Sequence, residues 1–450
     1  MSLEKTLSEI NLKSVSIEIY GLGYVGFPLS VRLASNNLKI IGIDINSDRI
    51  ERLENNELMD SEINLESEYL QCRNKNRIKL QKFPEKSSDS KIGIICVPTP
   101  IPDKNTNSDI FVVSAVNSFL SKAKSGDMII LESSIEVGTT EKIEQLIKSK
   151  GFQVGENFGL CFCPERIDPA NKEWGVENIP RVIYCSDNLS FEIAKKIYEN
   201  VNQGNLLRVS SPKIAEIVKS FENAFRLVNI TLVNELAILC DSLGVSVKEV
   251  IDAAATKPFG FLAHYPGAGA GGHCIPKDPR FLLESAKKRD SKFETIEHAL
   301  KINEFMPKYI SNSIENKLNE MGLKKSVLVC GLTYKANVED MRDSPSLKIV
   351  QEMEKKGFTI YGYDPFFDSK ILKKYLIENH ISELNFTKLD NLDDKTIKKI
   401  SCMCIVQHHD ENKLRVKEIY EKSLIPLIYD CQSKLVKNLQ SNSHLEFLGN

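Results

Sequence analysis

A chain of 450 residues with 42% hydrophobic and 27% charged side chains can bury more than one large core, so two or three domains of ordinary globular composition are expected. Its 59 basic and 61 acidic residues nearly cancel, which removes the broad positive field of a nucleic-acid binder and with it the expectation of a nucleic-acid partner. Glu4 and Glu9 interrupt the opening segment where a secretory signal needs an apolar run, and no later apolar run approaches membrane-spanning length; a cytoplasmic protein with no membrane partner is expected. The cysteines are scattered and join no histidine in zinc-like spacing, so all are expected reduced and no metal is expected. In Cys161/Cys163 and Cys402/Cys404, each pair inside an apparent strand, the two side chains should share a face.

In chain order, the run VSIEIY reads as a strand, and Gly21, Gly23 and Gly26 form a G-x-G-x-x-G turn that encloses Tyr24 and Val25. A helix follows to about Asn36, and a second strand, KIIGID, ends on Asp44. Glycines at that spacing allow a tight turn, approach of backbone to a pyrophosphate and close helix–strand packing, while the helix N-terminus offers free N–H groups. Asp44 falls roughly twenty residues on, where a carboxylate binds the ribose hydroxyls of NAD and repels the extra phosphate of NADP. Arg49 follows within reach of the adenosine side.

The strands IGIICVP and MIILESS recur with helical pattern between them, as in a parallel doubly wound sheet. Ligands in such sheets sit beyond the carboxyl ends of strands, which brings Thr99 and Ser134 to the cofactor edge as hydroxyl contacts. The strand in FGLCFCPERIDPAN delivers Glu165 and Arg166 to the same edge.

Ser210, Ser211 and Pro212 start a long helix that Gly244 stops. Ile214, Ile217, Phe221, Ala224, Phe225, Val228, Leu232 and Leu236 recur at helical spacing and are expected to form its core stripe; Lys219, Asn223, Arg226 and Asn234 fall on another face. Beyond a short helix lies PGAGAGGHCIPKD. Its glycines admit a ligand to the backbone, and exposed N–H groups with Lys277 can make the Cys274 thiol nucleophilic.

The last third repeats the opening plan: a strand, Gly331, a loop, a helix capped at Ser344 and Pro345, and a strand ending on Asp364. Its turn lacks the glycine triplet and carries Lys335 and Arg342, which suits an anionic ligand. Strands in KKISCMCIVQHHD and LIPLIYDC complete the sheet, and His408 and His409 read as surface or core histidines. The expected fold is α/β: two Rossmann-like doubly wound domains, 1–209 and 319–450, joined by a long central helix and a helical middle domain, 210–318.

The ordered motifs GLGYVG with Asp44, ICVPTP, PERIDPAN, EIVKSFENAFRLVNITLVNE, GGHCIPKDP and GLTYKANVEDMRDSP resemble the UDP-glucose/UDP-N-acetylhexosamine 6-dehydrogenase family over nearly the whole chain. The resemblance implies oxidation of a UDP-sugar's primary alcohol to a carboxylate, with two NAD molecules used in succession and no metal. It makes Cys274 the nucleophile, Lys219 and Asn223 the groups on the reacting oxygen, Asp278 a base acting through water, and Glu165 an aid to proton transfer or hydrolysis. Arg166, Ile167, Arg226, Tyr265, Gly267, Tyr334 and Lys335, with Lys219 and Asn223, fall where the family contacts the UDP-sugar, and Arg342 where it reaches NAD. Ser134 stands where many relatives carry threonine. TKPFGFLAHYPG and GGHCIP resemble enzymes acting on UDP-N-acetylhexosamines, whereas the lysine of CIPKD resembles the UDP-glucose branch. The expected order of substrates is UDP-N-acetylglucosamine, UDP-N-acetylmannosamine, UDP-glucose, and the family's habit implies a homodimer through the central helix. The rivals are a two-electron hydroxyacid dehydrogenase, which needs neither Cys274 nor a third domain, and an inactive NAD- or UDP-sugar-binding regulator.

Overall fold

Short, β-branched segments that are buried on both faces build two parallel sheets, as strands covered by helices on either side require. The computed structural model describes residues 2–11, 14–85, 91–100, 107–166, 173–175, 177–272, 274–367, 372, 375–377, 385–386, 394–435 and 442–449. Two compact units divide the chain: Met1–Glu222 with Arg280–Ser291, and Asn223–Pro279 with Lys292–Asn450.

The first unit carries β1 (Ser16–Tyr20), β2 (Lys39–Ile43), β3 (Ile78–Gln81), β4 (Lys91–Ile95), β5 (Met128–Leu131), β6 (Gly159–Phe162), β7 (Arg181–Cys185) and β8 (Leu206–Arg208). Their order is β3-β2-β1-β4-β5-β6-β7-β8, parallel throughout except for the antiparallel β6–β7 pair. The order reverses between β1 and β4, and the carboxyl ends there open the crevice in which doubly wound sheets bind ligands.

The second unit repeats the plan with β9 (Ser326–Cys330), β10 (Thr359–Tyr363), β11 (Asn385–Phe386), β12 (Cys402–Ile405), β13 (Leu427–Asp430) and β14 (His444–Phe447), all parallel in the order β11-β10-β9-β12-β13-β14. Ser344 caps the following helix through its side chain, with Pro345 in the first turn. The helix Glu294–Glu320 packs its apolar face, including Met306, Ile310 and Ile314, into this unit's core.

Three expectations are corrected. The long helix runs Pro212–Leu243, but its expected core stripe faces outward: Ile214, Ile217, Phe221, Phe225 and Leu232 are exposed, and of that set Ala224 is buried. The inward face holds small and polar residues, among them Ala215, Glu216, Lys219, Ser220, Asn234 and Ala237, together with the buried Leu227. Periodicity defines a stripe without saying which neighbour covers it. The same helix is long and apolar enough to cross a membrane by length and composition, against the expectation that no run reaches that limit. A window average counts the outward stripe whichever way it points, yet the buried Lys219 and Asn234 face protein.

The cysteines are not all reduced. Cys161 and Cys185 form a disulfide, because the β6–β7 register sets them opposite each other with Cα atoms 4.2 Å apart. Cys161 and Cys163 do share one core, as do Cys402 and Cys404.

Candidate active site

In the first unit the glycine turn is closed by sterics. Gly21 has φ +89°, and a Cβ on Gly26 would sit 1.9 Å from the Gly21 oxygen, so side chains are barred at both positions. A Cβ on Gly23 would meet nothing within 4 Å, so that side of the turn lies open, with Tyr24 and Val25 half-buried beside it. Asp44 ties the turn to β2: its Oδ2 accepts from the Leu22 amide at 2.8 Å and its Oδ1 from the Asn46 amide at 2.9 Å. The carboxylate stays half-exposed and keeps lone pairs for two ribose hydroxyls, which fits NAD. Arg49 is committed inward: Nε donates to the Leu22 oxygen at 2.9 Å, Nη2 pairs with Glu62 at 2.5 Å, and the guanidinium lies over Phe27.

The ends of β4, β5 and β6 carry the next group. Thr99 is buried and Ser134 half-buried. The neighbouring Ser133 hydroxyl donates to the Val97 oxygen at 2.7 Å and joins the two loops. Glu165 is buried, while Arg166 pairs with Glu222 and donates to the Pro180 oxygen at 2.8 Å. Ile167 lies outside the described residues. Lys219 is buried on the long helix, 9% exposed.

The second unit gathers the cysteine loop. Cys274 is exposed, and its carbonyl accepts from the Lys277 and Asp278 amides at 3.2 and 2.9 Å, forming the turn that leads into the helix Asp278–Lys287. Asp278 is fully buried; its Oδ2 accepts from Asn223 Nδ2 at 2.7 Å, and its Oδ1 lies 3.5 Å from the buried Lys277 ammonium. Lys277 therefore balances this carboxylate. Asn223 stands on the long helix one turn after Lys219.

The loop's glycines are needed for packing within the chain. A Cβ on Gly271 would lie 2.6 Å from Pro345 and one on Gly272 2.6 Å from the Tyr334 ring, while the Gly272 amide donates to the Arg342 oxygen at 3.1 Å. Gly267 remains open, with its amide held by the buried Asn234 at 2.9 Å. Tyr265 is exposed and donates to Asp252 at 2.7 Å, and Arg226 is exposed on the long helix.

The second nucleotide-type turn differs from the first in the way its lysine implied. Asp364, the counterpart of Asp44, is 1% exposed and accepts from the Leu332 and Thr333 amides at 2.7 and 3.0 Å, so it is closed to a ribose. His409 is a core histidine: Nδ1 accepts from the Asn337 amide at 3.0 Å, leaving Nε2 to donate toward Asp364 at 3.2 Å. These bonds hold the loop carrying the half-buried Tyr334 and Lys335. Arg342 folds back on Asp340, with Nη2 at 2.6 Å.

Three domains of one family match the chain in order: an NAD binding domain over residues 15–202, a central domain over 213–305 and a UDP binding domain over 328–437. The chain belongs to the UDP-glucose/GDP-mannose dehydrogenase family. It is 33% identical to a UDP-N-acetyl-D-mannosamine dehydrogenase of Methanococcus maripaludis over 96% of both chains. It is 30% identical to a UDP-N-acetyl-D-glucosamine 6-dehydrogenase of Salmonella typhi, over 84% of this chain and 89% of that one. The solved UDP-D-ManNAc dehydrogenase of Pyrococcus horikoshii superposes with a TM-score of 0.82 at 28% identity, covering 96% of this chain and 99% of that one. The protein is an NAD-dependent UDP-sugar dehydrogenase.

Several supports of this dehydrogenase escaped sequence reasoning. Glu216 accepts from the Gly138 amide at 2.7 Å and from the Thr140 amide and hydroxyl at 2.8 and 2.7 Å, docking the long helix on the N-terminus of the helix Thr139–Ser149. Burial pushes its carboxyl up, and these bonds oppose that. The signal available was an acid one turn before Lys219 on the same helix. Glu132 and Arg181, a buried pair near Glu165, had no local signature at all.

Proposed function

We propose that this dehydrogenase oxidises the C6 primary alcohol of a UDP-N-acetylhexosamine to the uronate through a thiohemiacetal and a thioester on Cys274. The balance is one alcohol, two NAD and one water giving one carboxylate, two NADH and three protons. NAD, when bound, accepts the hydrides. An alcohol can lose one hydride to become an aldehyde, but the aldehyde carbon loses a second only after a nucleophile has added to it. Cys274 Sγ supplies that nucleophile, and water later displaces it.

Lys219 and Asn223 hold the oxygen on C6 and stabilise it as an oxyanion. Asp278 receives its proton through water, and Glu165 takes the proton from the water that hydrolyses the thioester. Gly21, Gly23, Tyr24, Val25, Gly26, Asp44, Thr99, Ser134 and Arg342 serve NAD, with Arg49 bracing the glycine turn through Leu22 in place of the adenosine contact expected from the sequence; Arg166, Ile167, Arg226, Tyr265, Gly267, Tyr334 and Lys335 serve the UDP-sugar. The observation that carries this reading is the exposed Cys274 thiol four residues before a buried Asp278 that is bonded to Asn223. A hydroxyacid dehydrogenase would have no use for that thiol.

The functional segments run 1–209, 210–318 and 319–450. The outward apolar stripe of the long helix, with Leu239 and Leu243 also exposed, supports a homodimer built on that helix, and a cytoplasmic enzyme goes with this reading. For the sugar we favour UDP-N-acetylmannosamine over the UDP-N-acetylglucosamine placed first from the sequence, because relatives bearing the mannosamine name align at 33–34% identity over nearly the whole chain. The test is NADH formation with UDP-N-acetylmannosamine, UDP-N-acetylglucosamine and UDP-glucose supplied separately. Two NADH per uronate from one N-acetylated sugar is expected. Turnover of UDP-glucose alone contradicts the substrate class, and one NADH per product contradicts the four-electron reading.

A further inference from the structure

The glycine-rich segment that leads to Cys274 cannot place the thiol by itself. Residues 261–272 enter no helix or strand, and Gly267, Gly269, Gly271 and Gly272 leave their backbone more freedom than any other residue type would. Ala268, Ala270, Gly271 and Gly272 are nonetheless buried, so their backbone groups need partners from elsewhere in the second unit. Among the described residues, those partners are Asn234, Asn303 and the Arg342 carbonyl. Asn234 on the long helix accepts from the Gly267 amide at 2.9 Å, and the Arg342 carbonyl from the Gly272 amide at 3.1 Å. Between them Asn303, 5% exposed on the helix Glu294–Glu320, holds Ala270 by both of its backbone groups. Its Oδ1 accepts from the Ala270 amide at 2.6 Å, and its Nδ2 donates to the Ala270 carbonyl at 2.9 Å.

A carboxamide suits this task because it offers a donor and an acceptor side by side, as a neighbouring strand would. The main chain of Asn303 is engaged as well. Pro307 stands inside the helix, which therefore lacks the amide that would bond the Asn303 carbonyl. That carbonyl lies 3.1 Å from the Cβ position of Gly269, whose φ is +115°. Helix and loop thus meet through both the side chain and the backbone of one residue.

We infer that Asn303 is a positioning residue for Cys274: it fixes the loop at Ala270, four residues before the thiol, and so sets the approach of the sulfur to the C6 aldehyde. This rests on the nucleophilic role of Cys274 proposed above. The two oxidations make different demands on the loop. The first passes a hydride to NAD, releases the alcohol's proton and forms no bond to sulfur. In the second, Sγ gives up its proton and adds to the aldehyde carbon, and the oxyanion so formed restores its C–O double bond as the hydride passes to the second NAD. A displaced thiol therefore spares the first oxidation and slows the second.

The experiment is a single turnover of the full-length enzyme with excess NAD and UDP-N-acetylmannosamine, or UDP-N-acetylglucosamine if that is the sugar turned over. NADH is followed by absorbance and the quenched sugar by mass spectrometry. Wild-type enzyme should yield two NADH and the uronate with no aldehyde released. N303A, which removes both bonds, should keep the KM for NAD and a first NADH close to the wild-type rate. Its second NADH should form about 10²-fold more slowly, the cost of misplacing a reacting group by about 1 Å, while UDP-sugar aldehyde accumulates. N303D keeps the size of the side chain and the bond from the Ala270 amide, loses the bond to the carbonyl, and should show the same split. C274S should stop at the aldehyde; if it forms both NADH, the role of Cys274 fails and the inference with it. If C274S stops there while N303A and N303D slow both oxidations equally, or neither, the positioning role alone is overturned. Should neither variant fold, G269A decides by the same split, because it removes no group of Asn303 and its methyl presses the loop away from the helix. An unaltered second oxidation in that variant overturns the inference.

Discussion

Asn223 Nδ2 and Asp278 Oδ2 meet at 2.7 Å across 55 residues of sequence, fixing the end of the cysteine loop to the long helix. Asp278 cannot turn to solvent, because it is fully buried and Lys277 lies 3.5 Å from its other oxygen. Asp278→Asn keeps the shape and removes the base. Turnover should fall by about 10²- to 10⁴-fold, the usual range for a general base, with the KM for NAD unchanged. Steady-state kinetics check this, and a variant with turnover near that of the wild type would remove Asp278 from the chemistry.

Gly272 tests the packing of the loop. It combines φ +80° with a Cβ position 2.6 Å from the Tyr334 ring, so Gly272→Ala adds backbone strain to a clash. A loss of about 1–3 kcal/mol in denaturant unfolding, with lost activity, is expected. Unchanged stability would mean the loop does not sit against Tyr334.

Asp44 accepts from the Leu22 and Asn46 amides, and the proposed function adds the NAD ribose to these partners. Asp44→Asn should raise the KM for NAD roughly tenfold or more, the worth of a hydrogen bond to a charged group, and should narrow the preference over NADP. The KM for the UDP-sugar should stay as it was. Parallel kinetics with both dinucleotides decide it.

Leu232 is 63% exposed in the outward stripe, and glutamate is a good helix former. Leu232→Glu should therefore leave each chain folded and convert a dimer into a monomer in sedimentation. A wild-type monomer, or a dimer untouched by the change, contradicts the helix-mediated assembly.

Much of the fold was legible because its signals are local. The glycine spacing with Asp44, the Ser344–Pro345 cap and the ends of the long helix each depend on a few adjacent residues. Cys274 stood out for the same reason, an exposed thiol in a glycine-rich loop with a lysine and an aspartate just after it. Long-range relations were not legible. The apolar stripe from Ile214 to Leu232 is visible in the sequence, but its outward direction is set by what lies against the other face. The antiparallel entry of β7 joins Cys161 to Cys185 and delivers Arg181 to Glu132, and nothing near residue 181 announces either contact. Gly271 and Gly272 were readable as necessary, but not as packing against Tyr334 and Pro345.

The central claim is a covalent intermediate on Cys274. The enzyme should be mixed with NAD and the turned-over UDP-N-acetylhexosamine, acid-quenched during turnover, and its peptides mapped by mass. A UDP-hexosaminuronyl thioester is expected on Cys274, and the Cys274→Ser enzyme should complete no uronate. Full two-NADH turnover by Cys274→Ser, with no acyl group on the wild-type thiol at any time, would contradict it.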